Sequence, residues 1–263
     1  TAAWDLSAGG GEEEFFGEFR DAAGNVSGAD DTIILDTLAP EASFVINGDA
    51  EYATDPAVTL TSTSADASEM RFSNDGAVWG DWTVFAADQA WTLAGPDGSN
   101  TVYGEFRDLA GNVTGAQDAI LLDTEAPAGG LVINADADYT TDPVVELTST
   151  VTGAAEMRFS NDGSSWSSWE TYGTSKSWTL ATGDGTKTVH AEYRDEAGNV
   201  LALSDDIELD TTPPGVPVFL PEPAFTAGTT NTVEWTDIGA AAYLVQMSDD
   251  AGFGDILADS GWV

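Results

Sequence analysis

One block of sequence recurs along this chain without a gap. The run Met70-Arg71-Phe72-Ser73-Asn74-Asp75-Gly76 returns as Met157-Arg158-Phe159-Ser160-Asn161-Asp162-Gly163, an offset of 87 residues (157 less 70). Arg20-Asp21, Arg107-Asp108 and Arg194-Asp195 fall on the same ladder, each followed by a Gly-Asn pair, and so do Asp36-Thr37, Asp123-Thr124 and Asp210-Thr211. Trp4, Trp91 and Trp178 complete it. A fixed period of this length means one structural unit copied in tandem, each copy burying its own core. The ladder places the C-terminal part of one repeat at 1–36 and whole repeats at 37–123 and 124–210. From 211 the pattern changes: Pro213-Pro214-Gly215, Asn231 to Trp235 and Tyr243 to Met247 do not align with the unit, so 211–263 reads as the N-terminal part of a different module.

Within a unit, short alternating runs separated by Gly, Asn, Asp and Pro return about every ten residues, the spacing of an all-β sandwich. The expected strands are Ser43 to Ile46, Ala57 to Thr63, Glu69 to Ser73, Thr83 to Ala86, Ala90 to Ala94, Thr101 to Asp108 and Ala119 to Asp123. Period-two alternation turns Met70 and Phe72 inward and Glu69, Arg71 and Ser73 outward. It likewise turns Val102, Gly104 and Phe106 inward and Tyr103, Glu105 and Arg107 outward. Neighbouring strands would therefore pair Arg71 with Glu105 and Arg158 with Glu192. The segments Asp21 to Asn25, Asp108 to Asn112 and Asp195 to Asn199 read as hairpin turns, in which Gly and Asn supply positive φ and Asp caps the turn. Asn25-Val26-Ser27 and Asn112-Val113-Thr114 also fit a glycosylation tripeptide, but Leu201 breaks it in the third copy, and turn chemistry is the preferred reading.

Charge excludes whole classes of partner. With 46 acidic and 7 basic side chains the net charge is −39, which repels nucleic-acid phosphates and anionic membranes. The chain is nonetheless 42% apolar, enough to build cores, so the acid belongs on folded surfaces. There is no cysteine, which removes disulfides, thiolate zinc sites and cysteine nucleophiles. No apolar run reaches the length of a membrane span, so no direct membrane insertion is expected in this segment. Catalysis is not expected either. The single histidine, His190, occupies the slot of Tyr103 and Phe16, an aromatic position rather than a catalytic one, and no serine sits in a nucleophile elbow.

The Asp-Thr-x-x-Pro linker, the Met-Arg-Phe-Ser-Asn-Asp-Gly block with its following Trp residues, and Arg-Asp-x-x-Gly-Asn together resemble the bacterial Ig-like repeats of large secreted surface proteins. The tail after Thr211 is similar to a fibronectin type III module, with Trp235 and Tyr243 at its early core positions. The resemblance implies tandem immunoglobulin-like β-sandwich domains in an extended array. It also implies an extracellular or cell-surface location and a structural role as filament, surface layer, adhesin stalk or spacer of a secreted hydrolase. The expected partners are neighbouring copies or domains of the same surface protein.

Two kinds of site are compatible with that frame. Calcium takes oxygen ligands from carboxylates, Asn side chains and carbonyls, which crowd the expected domain ends. In an immunoglobulin-type sandwich Asp123 should approach the loop from Asn47 to Asp55 of its own repeat and the hairpin around Asp195 of the next. The candidate ligands are Asp36, Asp49, Asp55, Asp108, Asn112, Asp123, Asp138, Asp142, Asp195 and Asn199; none of these runs has the EF-hand spacing. The pairs Trp79 with Trp82 and Trp166 with Trp169 could instead stack on carbohydrate. Their spacing of three, across turn residues, favours structural packing with one ring of each pair turned inward.

Overall fold

The computed structural model describes residues 4–6, 10–221, 232–248 and 256–261. Every regular element among them is a β-strand, and the chain is an all-β array of tandem sandwiches. Contacts divide it into two compact units. The first runs to Leu131 and takes in Ser149–Thr174 and His190–Ser204; the second holds Val132–Thr148, Ser175–Val189 and the residues from Asp205.

In the first unit the strands between residues 42 and 122 form two sheets. Ala42–Ile46, Ala57–Ser64 and Asp88–Thr92 make a three-stranded antiparallel sheet with Ala57–Ser64 at its centre. The facing sheet runs in the order Tyr52–Ala53, Val113–Leu122, Gly98–Arg107, Glu69–Ser73, Thr83–Val84. Both of its edges are two-residue strands, each pairing with only two residues of its neighbour. The inward set follows the alternation in the sequence: Phe44, Ile46, Val58, Leu60, Met70, Phe72, Val102, Phe106, Ile120 and Leu122 are buried. Their rings interlock, with Phe72 edge-on to Phe44 at 5.3 Å and to Phe106 at 5.9 Å, geometries that suit the ring quadrupoles. Gly104 has a steric reason to be glycine, since a Cβ there would lie 2.9 Å from Phe44 Cε1 and 3.0 Å from Phe72 Cε1.

Two observed strands depart from the expected set. Tyr52–Ala53, which adds in parallel to Leu121–Leu122, is too short to leave a periodic signal. The last strand begins at Val113 rather than Ala119 and pairs with Gly98–Arg107 over its full length. Its Gly115, Gln117 and Asp118 look like a turn, but Asp118 has a use inside the strand: its carboxylate accepts the Ile46 N–H at 2.8 Å.

The strands between 131 and 209 repeat the scheme. Leu131–Ile133, Val144–Ser149 and Ser175–Thr179 form one sheet, and Tyr139–Thr140, Val200–Leu209, Gly185–Arg194, Glu156–Ser160 and Glu170–Thr171 the other. Upstream, Gly11–Arg20 and Val26–Leu35 form an isolated hairpin in the same register as the one between 98 and 122. Downstream, Phe219 bridges to Trp235, and Trp235 lies 5.3 Å from Tyr243, so the rings expected to start a separate core do come together. Asn231, at the head of that run, is outside the described residues.

Candidate functional site

Two features recur at the 87-residue offset and involve residues singled out in the sequence: the linker between repeats and a Trp–Arg face on the outer side of the larger sheet.

At the linker, Asp123 follows the last strand of one repeat and Pro127 lies buried four residues on, so a fixed φ is set into the start of the next. Several of the polar groups there have partners. Asp123 N–H donates to Ala53 O at 2.9 Å, and Asp123 Oδ1 accepts from Glu125 N–H at 3.2 Å. Thr124 donates its N–H and its hydroxyl to the Asp97 carboxylate, both at 3.1 Å. From the following repeat, Asn199 Nδ2 donates to Asp123 O at 2.9 Å. That amide is aimed by its own hairpin: Asn199 Nδ2 also donates to Asp195 Oδ2 at 3.0 Å, while Asp195 Oδ1 accepts the N–H groups of Gly198 and Asn199. The preceding linker is built alike, with Asn112 Nδ2 donating to Asp36 O at 3.1 Å and to Asp108 Oδ2 at 2.9 Å. Glycosylation at Asn112 would displace one of these bonds. Beside the second linker Tyr52 Oη donates to Glu196 at 3.4 Å.

Most of the calcium candidates are engaged in hydrogen bonds, the aspartates chiefly as acceptors and Asn112 and Asn199 as donors. Asp123 and Asp195 line one groove together with Thr152 and Gly153. Asp36 holds Leu38 N–H, Asp55 holds Ala57 N–H, and Asp142 holds Val144 N–H, each through Oδ1 as an ordinary turn cap. Asp138 accepts Glu208 N–H through its main-chain carbonyl, and Asp49 sits in a left-handed turn with φ 68°. The Asn112 amide, followed by the Asn112 and Gly111 N–H groups, holds the Asp108 carboxyl below its ordinary range. Among the described residues no group of three or more His, Cys, Asp or Glu side chains is placed to hold a metal ion.

Sequence reasoning passed over the linker's other anchors. Asp97 and its offset partner Asp184, which accepts Thr211 N–H at 2.9 Å and the Thr211 hydroxyl at 2.6 Å, look like loop acids among many. Their signal is positional. Both precede the Asp-Thr pair's threonine by 27 residues, a spacing the repeat ladder carries.

On the sheet face the arginines pair as the alternation requires. Arg71 stands opposite Glu105 and Glu69 opposite Arg107 in the register, and Arg71 Nε donates to Glu105 Oε2 at 2.7 Å. The same cross holds for Arg158 with Glu192 and Arg194 with Glu156. The Trp rings lie over these charges, and neither ring of a pair turns into the core. Arg71 is 5.1 Å from the Trp79 centroid and 4.6 Å from that of Trp82, and Arg107 is 4.3 Å from Trp82. In the next repeat Arg158 is 4.9 Å from Trp166 and 4.5 Å from Trp169, with Arg194 4.3 Å from Trp169. The bend at Gly80 and Asp81 that hinted at an inward ring instead folds both indoles back over the arginine stems, where cation–π attraction and aliphatic packing add. Trp82 and Trp169 are each committed to two guanidinium groups. His190, in the Tyr103 slot, packs flat against the Asp162-Gly163 turn: a Cβ on Gly163 would lie 3.5 Å from its ring, much as one on Gly76 would meet Tyr103.

No family model matches the chain, and no curated protein matches it. Among solved structures it is similar to the fibronectin(III)-like modules of Clostridium thermocellum CbhA, at 14% identity and TM-score 0.45 over 63% of this chain and 93% of that one. It is also similar to a tetra-tandem repeat from the extending region of a large adhesion protein, at 21% identity and TM-score 0.27, covering 80% of this chain and 58% of that one. A third likeness is to a structure of a 1.5-MDa bacterial ice-binding adhesin, at 18% identity and TM-score 0.34, covering 75% of this chain and 74% of that one. These structural neighbours are fibronectin III-like modules and bacterial adhesin repeats, and the fold assignment rests on the sheets themselves.

Proposed function

We propose that this chain is a structural repeat segment of an extracellular surface protein, a stalk or filament in which one sandwich is held to the next through a hydrogen-bonded linker. The observation that carries the reading is the asparagine contact made at both linkers: Asn112 to Asp36 O and Asn199 to Asp123 O. A flexible tether leaves its carbonyls to water, whereas here the hairpin of each following repeat claims one, and buried Pro40 and Pro127 fix the backbone beside it. A load-transmitting array needs that property and a catalyst does not. The −39 charge keeps such a segment hydrated and separate from other polyanions.

Electron microscopy and small-angle scattering of the chain, each with and without a calcium chelator, test the proposal. An elongated particle of constant inter-repeat angle is the expected result, and a collapsed globular particle overturns it. Loss of the elongated form on chelation would assign calcium to the linkers beside the hydrogen bonds. Its persistence would leave the asparagine contacts as the stiffening element.

A further inference from the structure

The turn that precedes Tyr52 contains the sequence's one Asn-Gly pair, Asn47-Gly48. Asn47, Gly48 and Asp49 all adopt left-handed backbone, with φ of 47°, 68° and 68°. Asn47 extends the ladder of the smaller sheet by one residue: its N–H donates to Thr59 O at 2.8 Å, and its side-chain Oδ1 accepts Thr59 N–H at 2.9 Å. The Asn47 carbonyl carbon is thereby polarised by a fixed main-chain donor, as an acyl group is in an oxyanion hole. The neighbouring Gly48 N–H makes no hydrogen bond to any described residue, and the space about its Cα is open.

We propose that Asn47 is a spontaneous modification site, deamidating through attack of the Gly48 amide nitrogen on the Asn47 side-chain carbonyl. With the Gly48 amide proton taken by solvent base, a bond forms from Gly48 N to Asn47 Cγ. The bond from Cγ to Nδ2 breaks, and ammonia leaves with a solvent proton. Water then opens the cyclic imide at either carbonyl, giving aspartate or isoaspartate at position 47. No oxidant, metal or enzyme is required. The second repeat supplies an internal control. Asn134 has φ 47° and accepts Glu146 N–H through Oδ1 at 2.8 Å, but its successor is Ala135, at φ 56°, whose methyl hinders the attacking nitrogen. The same turn therefore accepts either glycine or alanine, and exchanging them leaves the fold in place.

Isoaspartate adds a methylene to the main chain six residues before Ala53, the residue that anchors Asp123 N–H. That consequence rests on the linker reading above; the modification itself does not. The test is peptide mapping by mass spectrometry of the full chain held at neutral to mildly alkaline pH, following the amide-to-acid mass change at each asparagine. Asn47 is expected to convert on the order of tenfold faster than Asn134, Gly48→Ala to slow it to the Asn134 rate, and Ala135→Gly to raise Asn134 by a similar factor. The folded-chain rate at Asn47 should at least match that of the chain unfolded in urea. Conversion of Asn47 no faster than Asn134, or a folded rate far below the unfolded one, overturns the proposal.

Discussion

The two complete repeats share a frame and solve its interior differently. Phe44, Gly104, Phe106 and Phe85 of the first become Leu131, Ala191, Tyr193 and Tyr172 of the second, each at the 87-residue offset. Where Phe44 reaches across the core, the opposing position has no Cβ, and where a shorter leucine replaces it the Cβ is present. The hydroxyls change together as well. In the second repeat Tyr193 Oη lies 2.7 Å from buried Ser149 Oγ, and burial pushes the Tyr193 phenol above its usual range. In the first repeat Ser62, the counterpart of Ser149, faces a core whose Phe106 has no hydroxyl to offer, and its Oγ is buried without a partner. Core volume is thus shared out over positions rather than fixed residue by residue, as dense packing requires, whereas core polarity differs, the second repeat adding the Tyr193 and Tyr172 hydroxyls.

The sharpest way to break that comparison is Gly104→Ala. It should destabilise the first repeat by about 1–3 kcal/mol through overpacking against Phe44 and Phe72. Adding Phe44→Leu should recover most of the loss, since the pair then matches Leu131 with Ala191. Urea denaturation of the single and double variants measures the coupling, and additive effects would show that the two positions do not trade volume.

The next effect in size concerns the hydroxyls. Tyr193→Phe should cost about 1–2 kcal/mol, because Ser149 is then left buried and unsatisfied as Ser62 is in the first repeat. The reciprocal change Phe106→Tyr should gain about 1 kcal/mol by giving Ser62 its partner. Thermal unfolding of both variants checks the signs, and a loss of stability in Phe106→Tyr would mean that the first core has no room for the oxygen.

A third change compares the linkers rather than the cores. Asn199→Ala removes both side-chain bonds of that residue and should cost about 1 kcal/mol. It should also widen the spread of inter-repeat angles seen by electron microscopy. Asn199→Asp keeps the shape but places an acceptor against Asp123 O and the Asp195 carboxylate, so it should perturb the linker at least as much as alanine. An unchanged angular spread in both would remove the asparagine contact as the stiffening element.

The same contrasts show what a sequence of this kind reveals. Alternation around Met70, Phe72, Val102 and Phe106 was enough to read the sandwich class, the inward faces and the Arg71–Glu105 and Arg158–Glu192 pairs, because one buried face forces period two. The strand Tyr52–Ala53 was beyond reach, since two residues carry no period, and Asp118 concealed the start of its strand because a carboxylate that accepts a main-chain N–H looks like a turn residue. At the candidate site the residue types near the linker were legible, whereas their roles were not. Asp108, Asp195, Asn112 and Asn199 have the oxygen-rich composition of a cation site, and only geometry shows the two carboxylates accepting main-chain N–H groups and the two amides donating to them. The stacking of Trp79 and Trp82 on Arg71 was likewise invisible, because the bend between the rings is set by the turn and not by periodicity.

The smallest expected effect separates the two linker carboxylates. Among the described residues Asp97 accepts from Thr124 alone, since Glu125 follows it, whereas Asp184 accepts from Thr211 and also from the Thr212 hydroxyl. The Thr211 side chain, then that of Thr212, hold the Asp184 carboxyl at about 2, below the ordinary 3.8. A depressed folded value means that the ionised form is favoured by folding, so this contribution is fully present above about pH 4 and disappears as the pH falls toward 2. Thr212→Val removes one donor and should move the Asp184 midpoint upward, toward the ordinary value, with the Thr211 contacts left in place. Because the group is exposed, the change belongs in a carboxyl titration followed by NMR rather than in a denaturation curve. A midpoint unmoved by Thr212→Val would leave the shift to Thr211 and the nearby Lys187 charge and remove Thr212 as a contributor.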